Sequence, residues 1–155
     1  MDKNATYQLL VKQVESLIEG ENNTVGQLAN AAAIIHETLG CWWTGFYLVN
    51  GDTLQLGPFQ GPVACYTIKR GRGVCGTAWD QNRTLVVPDV EQFPGHIACS
   101  SLSRSEIVVP LHDDRLDVAG VLDIDSKQLA AFDDVDAHWL EQIARVISRH
   151  AFSVR

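Results

Sequence analysis

The sequence predicts an α+β fold with a mostly antiparallel sheet. Three observations carry this: helical periodicity at the two ends of the chain, a run of short β-branched and aromatic segments between them, and no regular alternation of strand with helix. Leu10, Val14, Leu17 and Ile18 recur on one helical face and Val25, Leu28, Ala32, Ile35 and Leu39 on another, with Gly20 and Gly40 at the two ends as stop signals. Six strand-like stretches follow, at 42–49, 53–56, 63–68, 84–88, 106–111 and 117–125, separated by Gly, Pro, Asn or Asp. Asn50-Gly51-Asp52 joins the first two as a hairpin turn. The glycines of GRGVCGTAWDQ resemble a phosphate cradle, but their spacing fits neither a Walker loop nor the dinucleotide fingerprint, so the segment reads as a tight turn into a short helix. A last long helix begins with Asp133 as its N-cap and aligns Trp139, Ile143, Val146 and Ile147.

The chain has 155 residues, the usual size of one compact domain, and no linker or repeat interrupts it, so a single domain over 1–155 is expected. The N-terminal stretch lacks a signal-peptide core and no run of about 18 apolar residues exists, which predicts a cytoplasmic protein with no membrane partner. A net charge of −7 and scattered Lys and Arg argue against a nucleic-acid partner.

Four cysteines in a reducing compartment are expected to be free, metal-bound or transiently oxidised. Cys65, Cys75 and Cys99 each lie in a Gly- or Ala-flanked, loop-like context, a pattern that points to redox chemistry. No C-x2-C pair or matching His spacing supports a zinc site, and no metal is expected. Cys41, at a helix end, reads as a packed thiol. Asp123 and Asp125 stand at i and i+2 on a strand and share a face. Acids inside an apolar strand need either solvent or a cationic ligand, and together with Glu106 they would repel one another and raise at least one carboxyl pKa. Trp43 and Tyr47 also share a strand face, with Trp42 expected on the opposite side. Arg70 and Arg72 read as exposed turn residues, and His96 has no assignable direction.

Six motifs, WTGFYLV, LGPFQGPVAC, RGVCGTAW, PGHIACSS, SEIVVPL and VLDIDS, together resemble the free methionine-(R)-sulfoxide reductase family across nearly the whole chain. The HDDRLD loop is one residue longer than the commonest version of that pattern. The resemblance implies a GAF-like fold: a six-stranded antiparallel sheet, the two N-terminal helices and the C-terminal helix on one face, and an enclosed ligand pocket on the other. It implies reduction of free L-methionine (R)-sulfoxide by attack of the Cys99 thiolate on sulfur. The resulting sulfenic acid would condense with Cys65 to an intramolecular disulfide, with Cys75 as an auxiliary or competing thiol. Glu106 would supply the proton, Asp123 and Asp125 would hold the substrate ammonium, and Trp43 and Tyr47 would enclose the S-methyl group. No bound cofactor is implied; reducing equivalents would come from thioredoxin and ultimately NADPH. The preference for the R epimer rests on the resemblance alone.

Two rival readings share the fold: a GAF sensor domain binding a small molecule such as a cyclic nucleotide or tetrapyrrole, and a redox sensor whose Cys65–Cys99 disulfide changes conformation without turnover. A homodimer through the amphipathic terminal helices fits the pattern, although the same apolar stripes are needed to cover the sheet.

Overall fold

The computed structural model describes residues 2–96 and 102–153. Two helices open it, α1 (Lys3–Ile18) and α2 (Thr24–Leu39). Asp2 and Asn23 cap their N-termini, each side chain accepting a backbone N–H one turn on. Gly20 and Gly40 adopt positive φ at the ends of the two helices, as helix-stop residues do. The closing helix α4 (Asp134–Ala151) begins with a full capping box between Asp133 and Asp136.

Between them run β1 (Trp43–Asn50), β2 (Thr53–Gln60), β3 (Thr67–Lys69), the short helix α3 (Gly73–Gln81), β4 (Leu85–Val87), β5 (Ser105–His112) and β6 (Val118–Ser126). The strands form one six-stranded sheet in the order β3-β2-β1-β6-β5-β4, every pairing antiparallel. β5 therefore abuts β6, and β6 abuts β1, although β1 and β6 are far apart in sequence.

Period-two alternation divides the sheet into two apolar faces. Phe46, Ile107, Val109, Leu111, Leu122 and Ile124 point to one side, where α2 and α4 cover them and α1 packs mainly on those two helices. Trp43, Tyr47, Val108 and Val121 point to the other, where Val74, Cys75, Ala78 and Trp79 of α3 meet them. Within α1 the buried stripe is Tyr7, Leu10, Val14 and Ile18; Leu17, expected on that stripe, is 42 % exposed. Val25 is likewise exposed, because α2 turns Leu28, Ala31, Ala32 and Ile35 inward.

One expected strand shortens. Residues 63–66 are not strand, although the Tyr66 carbonyl accepts from Leu56 N of β2 at 2.9 Å, and β3 begins only at Thr67. The segment before it is instead tied down from the pocket side: Trp43 Nε1 donates to the Pro62 carbonyl at 3.0 Å and Tyr47 Oη to the Cys65 carbonyl at 3.0 Å. Two aromatic side chains thus hold backbone that a strand partner would otherwise take. Among the described residues no helix is long and apolar enough to cross a membrane.

Candidate active site

Strand register builds the site. Val87, Glu106, Asp125 and Trp43 stand abreast on β4, β5, β6 and β1, and Asp123 lies opposite Val108 on one side and Gly45 on the other. Gly45 is a spatial necessity: a Cβ there would come within 2.4 Å of Phe59 Cβ and 2.6 Å of the Trp43 ring. The missing side chain lets the Trp43 indole lie across β1, stacked on Phe59 at 5.2 Å and Tyr47 at 6.0 Å between centroids.

α3 supplies the thiol. Its entry turn packs so closely that a Cβ on Gly76 would stand 2.5 Å from the Lys69 carbonyl oxygen, which explains the glycine by close approach rather than phosphate binding. The turn drives Cys75 inward, fully buried against the sheet, with its thiol donating to Glu106 Oε2 at 3.9 Å.

A cavity of about 50 Å³ lies on this face, lined by Trp43, Tyr47, Cys75, Glu106, Asp123 and Asp125 among others. Six of the eight residues expected at the site therefore share one cavity. Cys65 sits beside the lining, next to Ala64 and half-buried, and it is disulfide-bonded; Cys41 and Cys75 are free thiols. Cys99 lies outside the described residues.

The electrostatics are set by burial without countercharge. Burial pushes the Glu106, Asp123 and Asp125 carboxyls well above the usual carboxylate range, and their mutual repulsion pushes further in the same direction. Cys75 is raised by the same two causes, so its sulfur is a protonated thiol. Ser103 donates to Asp125 Oδ1 at 3.1 Å, whereas Asp123 Oδ1 is buried with no hydrogen-bond partner. Among the described residues no lysine, arginine or histidine stands within ion-pairing distance of these three acids. The donor atoms of Cys75, Glu106 and Asp123 all lie within 4.8 Å of one another and could hold a metal ion. That grouping joins α3, β5 and β6, and local spacing along the chain does not report it.

Four polar or aromatic lining residues, Trp42, Arg72, His96 and Ser103, were not anticipated there. Trp42 faces this cavity rather than the opposite side, because it precedes β1 and escapes the strand alternation; the Lys127 ammonium lies 4.3 Å above its ring. Arg72, read from sequence as a turn residue, lines the cavity at the N-terminus of α3, where no side chain caps the helix. Ser103 carries no signal in its local sequence at all. His96 also lines the cavity, and burial lowers its pKa, which favours the neutral ring. Arg70 turns away to pair with Asp80.

Known proteins similar to this chain match it over nearly its whole length. A GAF domain model matches residues 25–150. The chain is 53 % identical over 146 residues to GAF domain-containing protein A of Dictyostelium discoideum, covering 94 % of this chain and 92 % of that protein. It is 44 % identical over 150 residues to the free methionine-R-sulfoxide reductase of Escherichia coli, covering 96 % and 90 %. The fold also superposes on a free methionine-R-sulfoxide reductase from Neisseria meningitidis, solved in complex with its substrate, with a TM-score of 0.94 at 51 % identity, covering 97 % of this chain and 91 % of that one.

Proposed function

The chain belongs to the GAF-domain free methionine-R-sulfoxide reductase family and is an oxidoreductase, and from that premise we propose that it reduces free L-methionine (R)-sulfoxide through a Cys99 sulfenic acid and a Cys65–Cys99 disulfide recycled by thioredoxin. The observation that carries the substrate class is the buried acid cluster. Three carboxyl groups with no ion-pairing cation among the described residues suit a ligand that brings its own positive charge, as the α-ammonium of a free amino acid does. A peptide-bound methionine sulfoxide has no such charge and carries chain on both sides.

In the reading this supports, Asp123 and Asp125 receive the ammonium, and Arg72 with the uncapped N-terminus of α3 faces the carboxylate. Trp43, with Tyr47 beside it, encloses the S-methyl group. The Cys99 thiolate attacks the sulfoxide sulfur, Glu106 protonates the oxygen, and that oxygen passes to Cys99 as methionine leaves. A Glu106 carboxyl held well above its ordinary range still carries a proton to give. The Cys65 thiol then condenses with the sulfenic acid, releasing water and forming the disulfide. The count of thiols favours Cys65 over Cys75 as the resolving cysteine, since Cys65 is disulfide-bonded while Cys75 is free, buried and raised in pKa. Cys75 keeps an auxiliary place. Thioredoxin, reduced at the expense of NADPH, restores both thiols by exchange.

The test is methionine formation from racemic free methionine sulfoxide with thioredoxin, its reductase and NADPH. The R epimer alone is expected to disappear, and Cys99→Ser is expected to abolish turnover. A folded, reduced protein that consumes neither epimer would overturn the reading and favour a ligand-sensing GAF domain.

A further inference from the structure

The acid cluster contains a second kind of recognition chemistry, because one of its neighbours is a thiol. Cys75 Sγ, a Glu106 oxygen and an Asp123 oxygen come from three different elements, yet all lie within 4.8 Å of one another and all three residues are buried. Bonds of about 2.3 Å to sulfur and about 2.0 Å to oxygen place the ligands of a tetrahedral zinc ion roughly 3.5 Å apart. The Cys75–Glu106 separation of 3.9 Å is already near that value. Independent of this spacing, Asp123 Oδ1 is buried and without a hydrogen-bond partner, on a residue that lines the cavity and is 6 % exposed. An orphaned acceptor in such a place calls for a cation or donor from outside the protein.

We propose that Cys75, Glu106 and Asp123 bind a single borderline-soft divalent cation, zinc being the physiological candidate, in competition with the ammonium group of the amino-acid substrate. The competition rests on the reductase reading above; the metal site rests on the donors alone. A thiolate ligand selects against magnesium and calcium and suits zinc or cobalt. Three protein ligands leave a fourth position, open to water or to the neighbouring Asp125. On binding, the thiol proton and any proton held on the Glu106 and Asp123 carboxyls are displaced to solvent, and a thiolate–metal bond replaces the Cys75–Glu106 hydrogen bond. The ion would then occupy the space that the substrate ammonium needs, so excess zinc would inhibit turnover reversibly.

Cobalt(II) is the probe. The protein is titrated without reductant, so that the Cys65 disulfide persists and Cys65 cannot serve as a ligand. One equivalent is expected to produce a near-ultraviolet thiolate-to-cobalt band that zinc and free methionine each reverse. Affinity is expected to fall at least tenfold in Cys75→Ser and in the nearly isosteric Asp123→Asn, and to be unchanged in Cys41→Ser. The absence of a thiolate band, or a band that survives Cys75→Ser, would overturn the site; a band untouched by methionine would overturn the competition. Turnover measured separately, on reduced protein with a chelator present, keeps the two readings apart. A normal rate with no cobalt band sinks only the metal site, and a cobalt band without turnover sinks only the reductase.

Discussion

Two buried aspartates, one on each side of the sheet, face opposite circumstances. Asp136, on the helical side, is 3 % exposed and accepts from Lys3 Nζ at 2.6 Å, Tyr7 Oη at 2.6 Å and its own capping partner, the Asp133 amide, at 2.8 Å. Asp123, on the cavity side, is 6 % exposed, stands beside two other carboxyls and a thiol, and leaves Oδ1 unpartnered. Burial is the same and compensation is not. The first acid is satisfied by the protein and fastens α1 to α4; the second is left for something that arrives from solution. A buried charge thus marks a site when its partners are missing, since burial alone is common to both.

The largest effect expected from breaking this contrast is on turnover. Glu106→Gln removes the proton donor while keeping shape, and the rate should fall by about 10²–10⁴, the usual contribution of general acid catalysis. Its midpoint in urea should not fall, because the amide keeps an oxygen to accept from Cys75 and the cluster loses one buried acid. A rate within about twofold of wild type would remove Glu106 from that role. Asp136→Ala should do the reverse. It orphans a buried tyrosine hydroxyl and dismantles a capping box, destabilising the fold by about 3 kcal/mol in urea titration. The folded fraction should keep its kcat and KM. Next comes Gly45→Ala, whose methyl would collide with Phe59 and Trp43. Overpacking of that kind is worth about 1–3 kcal/mol, and the displaced indole should appear as a raised KM before any loss of kcat.

The satisfied side was more legible in the sequence than the site. Element types, the Asp133 cap and the two glycine stops follow from periodicity and local hydrogen-bonding chemistry. The i, i+2 pairing of Asp123 with Asp125 was visible for the same reason, since alternation along one strand is a local property. That Glu106 lies across from Asp125 depends on the register of β5 on β6, and that Cys75 faces them both depends on how α3 packs. Neither is encoded in any short window. The same limit explains residues 63–66, whose β-branched and aromatic composition suggests a strand until Tyr47 claims the Cys65 carbonyl and Trp43 that of the preceding Pro62. Leu17 and Val25 fit their helical stripes by spacing yet fall outside them, because the width of a buried stripe is set by what packs on it.

The pH dependence of stability should be small in size but unusual in sign. The three cavity acids have folded-state pKa values raised above the ordinary 3.8 of aspartate and 4.5 of glutamate. The folded protein therefore holds protons that the unfolded chain has released, and in the equation for linkage stability falls as pH rises. Their contribution is fully present below about pH 4, and is lost progressively as pH climbs through the raised folded values. Most carboxylates in proteins act in the opposite sense, losing stability on acidification. Asp123→Asn replaces one of the three with a neutral isostere, and should stabilise the ligand-free protein at pH 8 relative to wild type while making little difference at pH 4. Each pKa unit relieved is worth about 1.4 kcal/mol. Saturating free methionine should narrow the gap, because its ammonium supplies to the wild-type cluster the countercharge that the variant no longer needs. Thermal melts of both proteins across that pH range, with and without methionine, make the measurement. A variant less stable than wild type at pH 8 would mean that Asp123 is compensated after all, and the contrast with Asp136 would fall.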